Sequence, residues 1–518
     1  MPPAGLAARR NGAGWRDAMI PDRSTTPDTG TKTASAGRGG EEQVHETSGN
    51  WPLGSSERPL RVAVIGSGPS GFYAIAALFK TDGVTADVDL FDRLPTPFGL
   101  VRGGVAPDHQ KIKNVIRVYN RTAQHDRFRF FGNVELGRDI SVEDLLRHYD
   151  HIVYATGNES DRKMGIPGEE LPGVHSATEF VGWYNGHPDF QDRSFDLASA
   201  RRVAVVGNGN VAMDVTRVLA RSPDELAPTD ITAESLAVLR ESRVEEVILL
   251  GRRGPAQAAF SPQEIKEIGS LEGVSLLVSE AEMDLDEISS TWLEESAAPS
   301  ARRNVAYLTE VAGAEAGDEE RLVTCRFLVS PIDLQAGDDG RVNRVVVEKN
   351  ELYAADDGTP RPRGTGETET LDVDLVFKAV GYRGVPLPGV PFHERWGILP
   401  NDEGRLQTGP DGEIVPGQYV VGWAKRGPTG LIGTNSPDST ATVKKMLEDI
   451  DDVKAPADPA KAPDRIIDLL RERGVDFVSF DDWTMLDEDE VRLGEAQSKV
   501  REKYTTLASM MAAIRRLR

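Results

Sequence analysis

A β-rich run, a glycine-rich turn and a helical stretch follow one another twice in this chain. That duplication constrains the fold more than any other feature. The first copy reads Val62-Ala-Val-Ile-Gly66-Ser-Gly68-Pro-Ser-Gly71, set between a β run at Arg61–Ile65 and an Ala-rich helical stretch reaching Lys80. In such a unit the first glycine permits the tight turn. The second lets the backbone approach a pyrophosphate, and the third lets helix and strand pack closely. The helix N-terminus then offers phosphates its dipole and its free N–H groups. The next β run, Ala86–Phe91, ends on Asp92, where a carboxylate accepts from ribose hydroxyls. An acid at this place suits a cofactor with a free 2′-hydroxyl, FAD or NAD.

The second copy reads Val203-Ala-Val-Val-Gly207-Asn-Gly209-Asn-Val-Ala212-Met-Asp214, with Ala212 at the third glycine position. Its following strand, Val247–Leu250, ends in Gly251-Arg252-Arg253-Gly254 with no carboxylate at the tip. A carboxylate repels a 2′-phosphate, whereas paired guanidiniums clamp one with charge-assisted hydrogen bonds. The second site is therefore expected to select NADP(H). The interval from turn to arginines is about twice the usual spacing, which predicts a helical insertion near Ser235–Arg243.

Further β runs at His151–Tyr154 and Leu375–Val380, with helical stretches between, predict parallel sheets with helices on both faces. The expected fold class is α/β: two Rossmann-like, three-layer nucleotide-binding domains, with the NADP domain inserted within the FAD domain. Residues 1–58, rich in Gly, Ser, Thr and Pro, read as a disordered N-terminal extension. Order is expected to begin at Leu60, with 59–157 as the first part of the FAD-binding domain and 158–380 as the NADP-binding domain. Residues 381–518 complete the FAD-binding domain and end in a helical region. The acidic stretches Glu280–Glu295 and Ala314–Glu320 read as solvated loops or helix faces.

Bulk properties narrow the function. A formal charge of −23 argues against nucleic acid, which needs a basic face. No run of about eighteen apolar residues is present, so no membrane span is expected. The single cysteine, Cys325, excludes an internal disulfide, a CxxC redox pair and a four-thiolate iron–sulfur cluster, and it reads as a buried small hydrophobe.

Two nucleotide sites in one chain describe a hydride relay from NADPH to FAD. Pro97–Arg102 is too broken by Gly and Pro for a long helix and reads as a loop over the cofactor; His109 follows in the same region, either as a cap or as a proton carrier. The late segment Gly422-Trp-Ala-Lys-Arg-Gly-Pro-Thr-Gly430-Leu-Ile-Gly-Thr434 is a Gly-rich transition able to bring N–H groups and an indole to a flavin.

The ordered set GSGPSGFY, PTPFGLVRGGVAPDH, IPGEELPGV, FVGWYNG, VVGNGNVAMD, GRRGP, GWAKRGPTGLIGT and SFDDWTMLDEDE resembles the adrenodoxin reductase-type ferredoxin–NADP(+) reductases over about Leu60 to Lys503. The resemblance implies FAD contacts at Ser70, Asp92, Leu100, Leu136, Trp423 and the Gly430-Leu431-Ile432 backbone. It implies NADP contacts at Asn208, Gly209, Asn210, Val211, Arg252, Arg253, Glu264 and Gly430. His109 and Asp214 match positions near the flavin linked to proton movement. The implied acceptor is a ferredoxin-like iron–sulfur protein taking single electrons, docked through Lys266, Arg302 and Arg303, on a monomer without a metal of its own. The expected location is the cytoplasm, with the mitochondrial matrix as the alternative. The chain departs from the family in having Asp92 where Glu is common, in Gly103, and in Leu431-Ile-Gly-Thr-Asn-Ser. Two other readings stay open on the residues alone: an FAD/NADPH-dependent monooxygenase, and a flavin-free NADP-sensing or scaffold subunit.

Overall fold

Alternation along the strand Leu60–Ile65 sets up the first layer system. Leu60, Val62 and Val64 enter one apolar cluster, while Ala63 and Ile65 enter another on the opposite face. A strand buried on both faces belongs in the middle of a parallel sheet. In the computed structural model, which describes residues 50–317, 321–450 and 454–518, it pairs in parallel with Ala86–Phe91 and His151–Tyr154. The sheet has seven strands, in the order Asn401–Asp402, Arg405–Gln407, Ile414–Val420, His151–Tyr154, Leu60–Ile65, Ala86–Phe91, Phe128–Phe131. Strands from residues 401–420 thus complete a sheet begun by residues 60–154. Helices Pro69–Phe79, Asn435–Glu448, Phe480–Glu495 and Leu507–Leu517 contribute to one apolar cluster, and Val142–His148 and Asp464–Glu472 to the other.

The second sheet has six parallel strands, in the order Val174–Ser176, Leu375–Lys378, Arg202–Val206, Glu246–Leu250, Arg321–Arg326, Val274–Val278. Its faces differ. Val203 and Val205 meet helical residues such as Val215, Val218 and Ile265, but Ala204 and Val206 meet Leu334, Val345, Val347 and Leu371. Those last residues belong to an antiparallel sheet of Val329–Ala336, Val342–Ala354 and Pro360–Asp372. Helices on both faces, the expectation for each sheet, therefore hold for the first; in the second, an antiparallel sheet forms the third layer. The chain passes between the two sheets along an antiparallel ribbon of Ser160–Asp161 with Tyr382–Arg383.

Several expectations shift in detail. Trp51 already pairs with Ala455, and Thr85 N–H donates to Gly54 O, so placed chain begins before Leu60. The extension as far as residue 49 lies outside the described residues. The insertion before Arg252 consists of two helices, Pro223–Leu226 and Ala233–Arg240. Within the acidic stretch at 280–295 lie a 3₁₀ turn, Glu280–Met283, and a helix, Glu287–Glu295. Residues 318–320 of the second acidic stretch lie outside the described residues. Pro97–Arg102 carries the start of a one-turn helix, Leu100–Gly103.

Candidate functional site

Each glycine-rich turn forms a cradle above the carboxyl end of its sheet. Gly66 sits at φ +103°, and a Cβ there would lie 2.6 Å from Ala155 O. At Gly68, by contrast, a Cβ would meet nothing within 4 Å, so the backbone there faces open space. Helix Pro69–Phe79 starts from Gly68 with no side-chain cap, which leaves its first N–H groups for an anion. Asp92 closes the cradle: Oδ2 accepts from Ser67 N at 2.9 Å and Ser67 Oγ at 2.5 Å, and Oδ1 accepts from Leu94 N at 2.9 Å. Ser70 Oγ instead turns to Asn435 Oδ1, at 3.1 Å, tying this helix to the C-terminal part of the chain. Leu100 begins the one-turn helix, and Leu136 is buried in a bridge with Ile140.

The second cradle repeats the geometry. Gly207 has φ +131° with Ala379 O 2.4 Å from a Cβ, Gly209 faces open space, and helix Asn210–Ala220 again lacks a side-chain cap. Asn208 Nδ2 is buried without a hydrogen-bond partner among the described residues, and Asn210 Oδ1 accepts from Ser261 N at 2.9 Å. Val211 packs against the core below. Arg252 is exposed and Arg253 half-buried, and among the described residues neither guanidinium has a carboxylate partner. Burial and then the neighbouring Arg252 charge lower the Arg253 pKa. Two uncompensated guanidiniums beside an open cradle fit a dianionic phosphate, so the residues present suit the cofactors that the sequence implies.

A junction of charged groups joins the two folds. His109 Nε2 lies 2.8 Å from Glu267 Oε2; its Nδ1 lies 3.7 Å from Asp214 Oδ1 and 3.9 Å from Glu264 Oε1. Arg217, 0% exposed, binds the junction together. It donates through Nε to Asp108 Oδ2 at 2.6 Å, through Nη1 to Glu264 Oε2 at 2.6 Å and through Nη2 to Asp214 Oδ1 at 2.6 Å. Nη2 also lies 3.1 Å from Asp108 Oδ1 and 3.4 Å from His109 Nδ1. Asp214 and Arg217 are three residues apart on one helix, hence on one face. Ser261 caps helix Pro262–Ile268 and accepts from Glu264 N, which sets Glu264 and Glu267 on the opposite wall.

Burial, then the Asp214 charge, pushes Glu264 up to about 7, and burial also raises Asp214. Asp108 stays below the usual carboxylate range because hydrogen bonds and charge from Arg217 outweigh its burial. Ligand atoms of His109, Glu264 and Glu267 lie within 4.8 Å of one another, a set that could hold a metal ion, although the Arg217 guanidinium already bonds to Glu264.

The late segment packs on the ribbon that links the two sheets. Trp423, on the short helix Trp423–Arg426, packs on Tyr382 with ring centroids 5.4 Å apart, and its Nε1 donates to Thr429 O. Gly430 has φ +81°, Leu431 is 61% exposed, and Ile432 opens a 3₁₀ turn. Lys266, Arg302 and Arg303 are exposed on the second fold. Lys266 sits over the Tyr307 ring, while Arg302 and Arg303 donate to main-chain carbonyls of Leu293, Glu294 and Pro299.

Sequence reasoning named His109, Asp214 and Glu264 but missed Arg217, Asp108 and Glu267. The one local signal was the three-residue spacing of Asp214 and Arg217.

Residues 60–247 match the family model described as pyridine nucleotide-disulphide oxidoreductase. The lone Cys325 is buried, its thiol pushed up to about 12 by that burial, so disulfide chemistry has no equipment here. The chain is 43% identical over 464 residues to "NADPH-ferredoxin reductase FprA" of Mycobacterium tuberculosis, covering 88% of this chain and 99% of that one. It is 42% identical over 470 residues to human mitochondrial "NADPH:adrenodoxin oxidoreductase", covering 88% and 92%. The solved structure of Mycobacterium tuberculosis FprA in complex with NADPH superposes with a TM-score of 0.82 at 41% identity, over 88% of this chain and 100% of that one. This chain belongs to the family of adrenodoxin reductase-type ferredoxin–NADP(+) reductases.

Proposed function

We propose that this enzyme carries electrons from NADPH through FAD to a ferredoxin-like iron–sulfur protein, with FAD at the Gly66–Gly71 cradle and NADPH at the Gly207–Ala212 cradle. The observation that carries the assignment is the contrast in charge beyond two equivalent strands. Asp92 follows the first, and Arg252 and Arg253, without a carboxylate partner among the described residues, follow the second. A carboxylate fits ribose hydroxyls and opposes a 2′-phosphate; a guanidinium pair does the reverse.

Ser70, Asp92, Leu100, Leu136, Trp423 and the Gly430–Ile432 backbone would hold FAD. Asn208, Gly209, Asn210, Val211, Arg252, Arg253 and Glu264 would hold NADPH, with Gly430 shared. When bound, the two cofactors supply hydride transfer and one-electron release. The protein binds and orients them, and His109 with Asp214 handles protons beside them. With a single cysteine in the chain, electrons leave without a disulfide relay.

Docking of an acidic partner through Lys266, Arg302 and Arg303 goes with this reading. All three are exposed cations on a body of charge −23, and Lys266 shares its helix with Glu264 and Glu267. Association through such a local patch weakens with salt.

Purified protein is expected to carry flavin absorbance and to reduce cytochrome c with NADPH only when ferredoxin is added. Colourless protein, or reduction independent of ferredoxin, overturns the reading.

A further inference from the structure

His109 has two distinct nitrogens, and its surroundings differ sharply from one to the other. Nε2 faces a carboxylate, Glu267 Oε2, at hydrogen-bond distance, 2.8 Å. An ionised carboxylate only accepts, so Nε2 carries the hydrogen of that bond. Nδ1 faces Arg217 Nη2 at 3.4 Å. A guanidinium only donates and stays charged, so a hydrogen on Nδ1 would point at a cationic N–H. The two hydrogens of Nη2 are shared among Asp214 Oδ1, Asp108 Oδ1 and His109 Nδ1. The carboxylates that would welcome an Nδ1 hydrogen, Asp214 and Glu264, lie at 3.7 and 3.9 Å, beyond hydrogen-bond reach.

We propose that Arg217 is a positioning residue which, together with Glu267, fixes neutral His109 as its Nε2–H tautomer and leaves Nδ1, on the Asp214–Glu264 side, as the nitrogen that takes up a proton. Glu267 is the orienting carboxylate, and the hydrogen it holds does not leave. A proton arriving at Nδ1 turns the ring into an imidazolium and displaces the Arg217 contact. It then faces Asp214 Oδ1, so uptake by His109 is coupled to the Arg217 junction. The charged and titratable groups facing the ring are Asp108 on its own loop, Asp214 and Arg217 on helix Asn210–Ala220, and Glu264 and Glu267 on helix Pro262–Ile268. Arg221 and the buried Tyr184 phenol stand behind them. Glu267 is held below its ordinary range by its bond to His109 against the effect of burial, as an ionised acceptor should be.

The inference rests on the reading that His109 handles protons beside the cofactors, but its test does not use turnover. Full-length, FAD-loaded protein is labelled with nitrogen-15 histidine, and the His109 signals are assigned by their loss in His109→Gln. Spectra are recorded at rising pH until the ring nitrogen shifts stop changing, so that the species read is the neutral ring. The expected spectrum shows a protonated Nε2 and a bare Nδ1. In Arg217→Lys and Arg217→Gln, an Nδ1–H population absent from the parent should appear, because a single ammonium or a neutral amide cannot hold the junction as the guanidinium does.

An Nδ1–H parent overturns the proposal. So do Arg217 variants that keep the parental tautomer and lose only thermal stability. If neither variant folds, the parental spectrum decides alone. Failure of ferredoxin-dependent reduction with the expected tautomer intact would count against the functional reading and not against this one.

Discussion

Glu267 meets His109 at 2.8 Å across the boundary between the two nucleotide-binding folds: His109 follows the loop of the first, and Glu267 sits on a helix of the second. The same boundary is crossed by Arg217, which reaches Asp108 on the first fold and Asp214 and Glu264 on the second. Groups that neither fold assembles alone are thus organised where the two folds meet.

His109→Gln keeps a hydrogen-bonding side chain but removes the titratable ring. The rate of flavin reduction by NADPH should fall by on the order of 10²-fold, the lower range for loss of a positioned acid–base group. Its pH dependence should flatten. Stopped-flow measurement across pH checks this, and an unaltered profile removes His109 from proton handling.

Arg252→Ala with Arg253→Ala should raise the Michaelis constant for NADPH by at least about 10²-fold, the low end for two charge-assisted hydrogen bonds of roughly 1.5–3 kcal/mol each. The constant for NADH should change little, because NADH carries no 2′-phosphate. Parallel steady-state assays with both coenzymes decide it; equal losses would show that the pair does not read the phosphate.

Glu264 is raised from 4.5 to about 7, mainly by burial. Between those values the folded protein binds more protons at this site than the unfolded chain does. Its contribution is therefore fully present below about 4.5 and is lost as pH rises through about 7. Glu264→Gln should make the fall in stability over that window shallower, by on the order of 1–3 kcal/mol. Melting temperatures of parent and variant at closely spaced pH values measure the difference. A parallel pair of curves would mean that Glu264 is ionised throughout.

Asp230 is the shared counter-ion of two buried lysines, with Lys113 Nζ at 2.7 Å and Lys503 Nζ at 2.9 Å. Burial lowers Lys113 and pushes Lys503 down to about 7, while the two ammonium groups hold Asp230 far below the usual range against its own burial. Asp230→Ala leaves both buried lysines without their counter-ion, with only Asn185 and Arg102 oxygens as acceptors, and should cost about 3–5 kcal/mol. Denaturant titration tests it, and a loss below about 1 kcal/mol would show that water or Asn185 replaces the carboxylate.

Much of the fold and part of the site were legible in local sequence. The turns at Gly66 and Gly207 announce themselves because a positive φ and close backbone contacts must be met within a few residues. The acid after the first β run and the arginines after the second are legible for the same reason: a strand end fixes where its next residue stands. The antiparallel sheet over Ala204 and Val206 was missed because its outer strand, Pro360–Asp372, is largely exposed and polar. An exposed edge needs no apolar alternation, so no period betrays it.

By itself, then, the sequence determined the two glycine-rich turns, the contrast of charge beyond their strands, and the absence of a second thiol. Each of these depends on residues within one strand–turn–helix unit or on a simple count. Only the tertiary structure decided which carboxylate His109 faces and what holds it there. Arg217 gathers partners 109 and 47 residues away as well as one three residues away. Lys113 finds Asp230 at a separation of 117 residues. No local propensity encodes such pairings, because a buried charge is tolerated only when the packed chain delivers its partners to it.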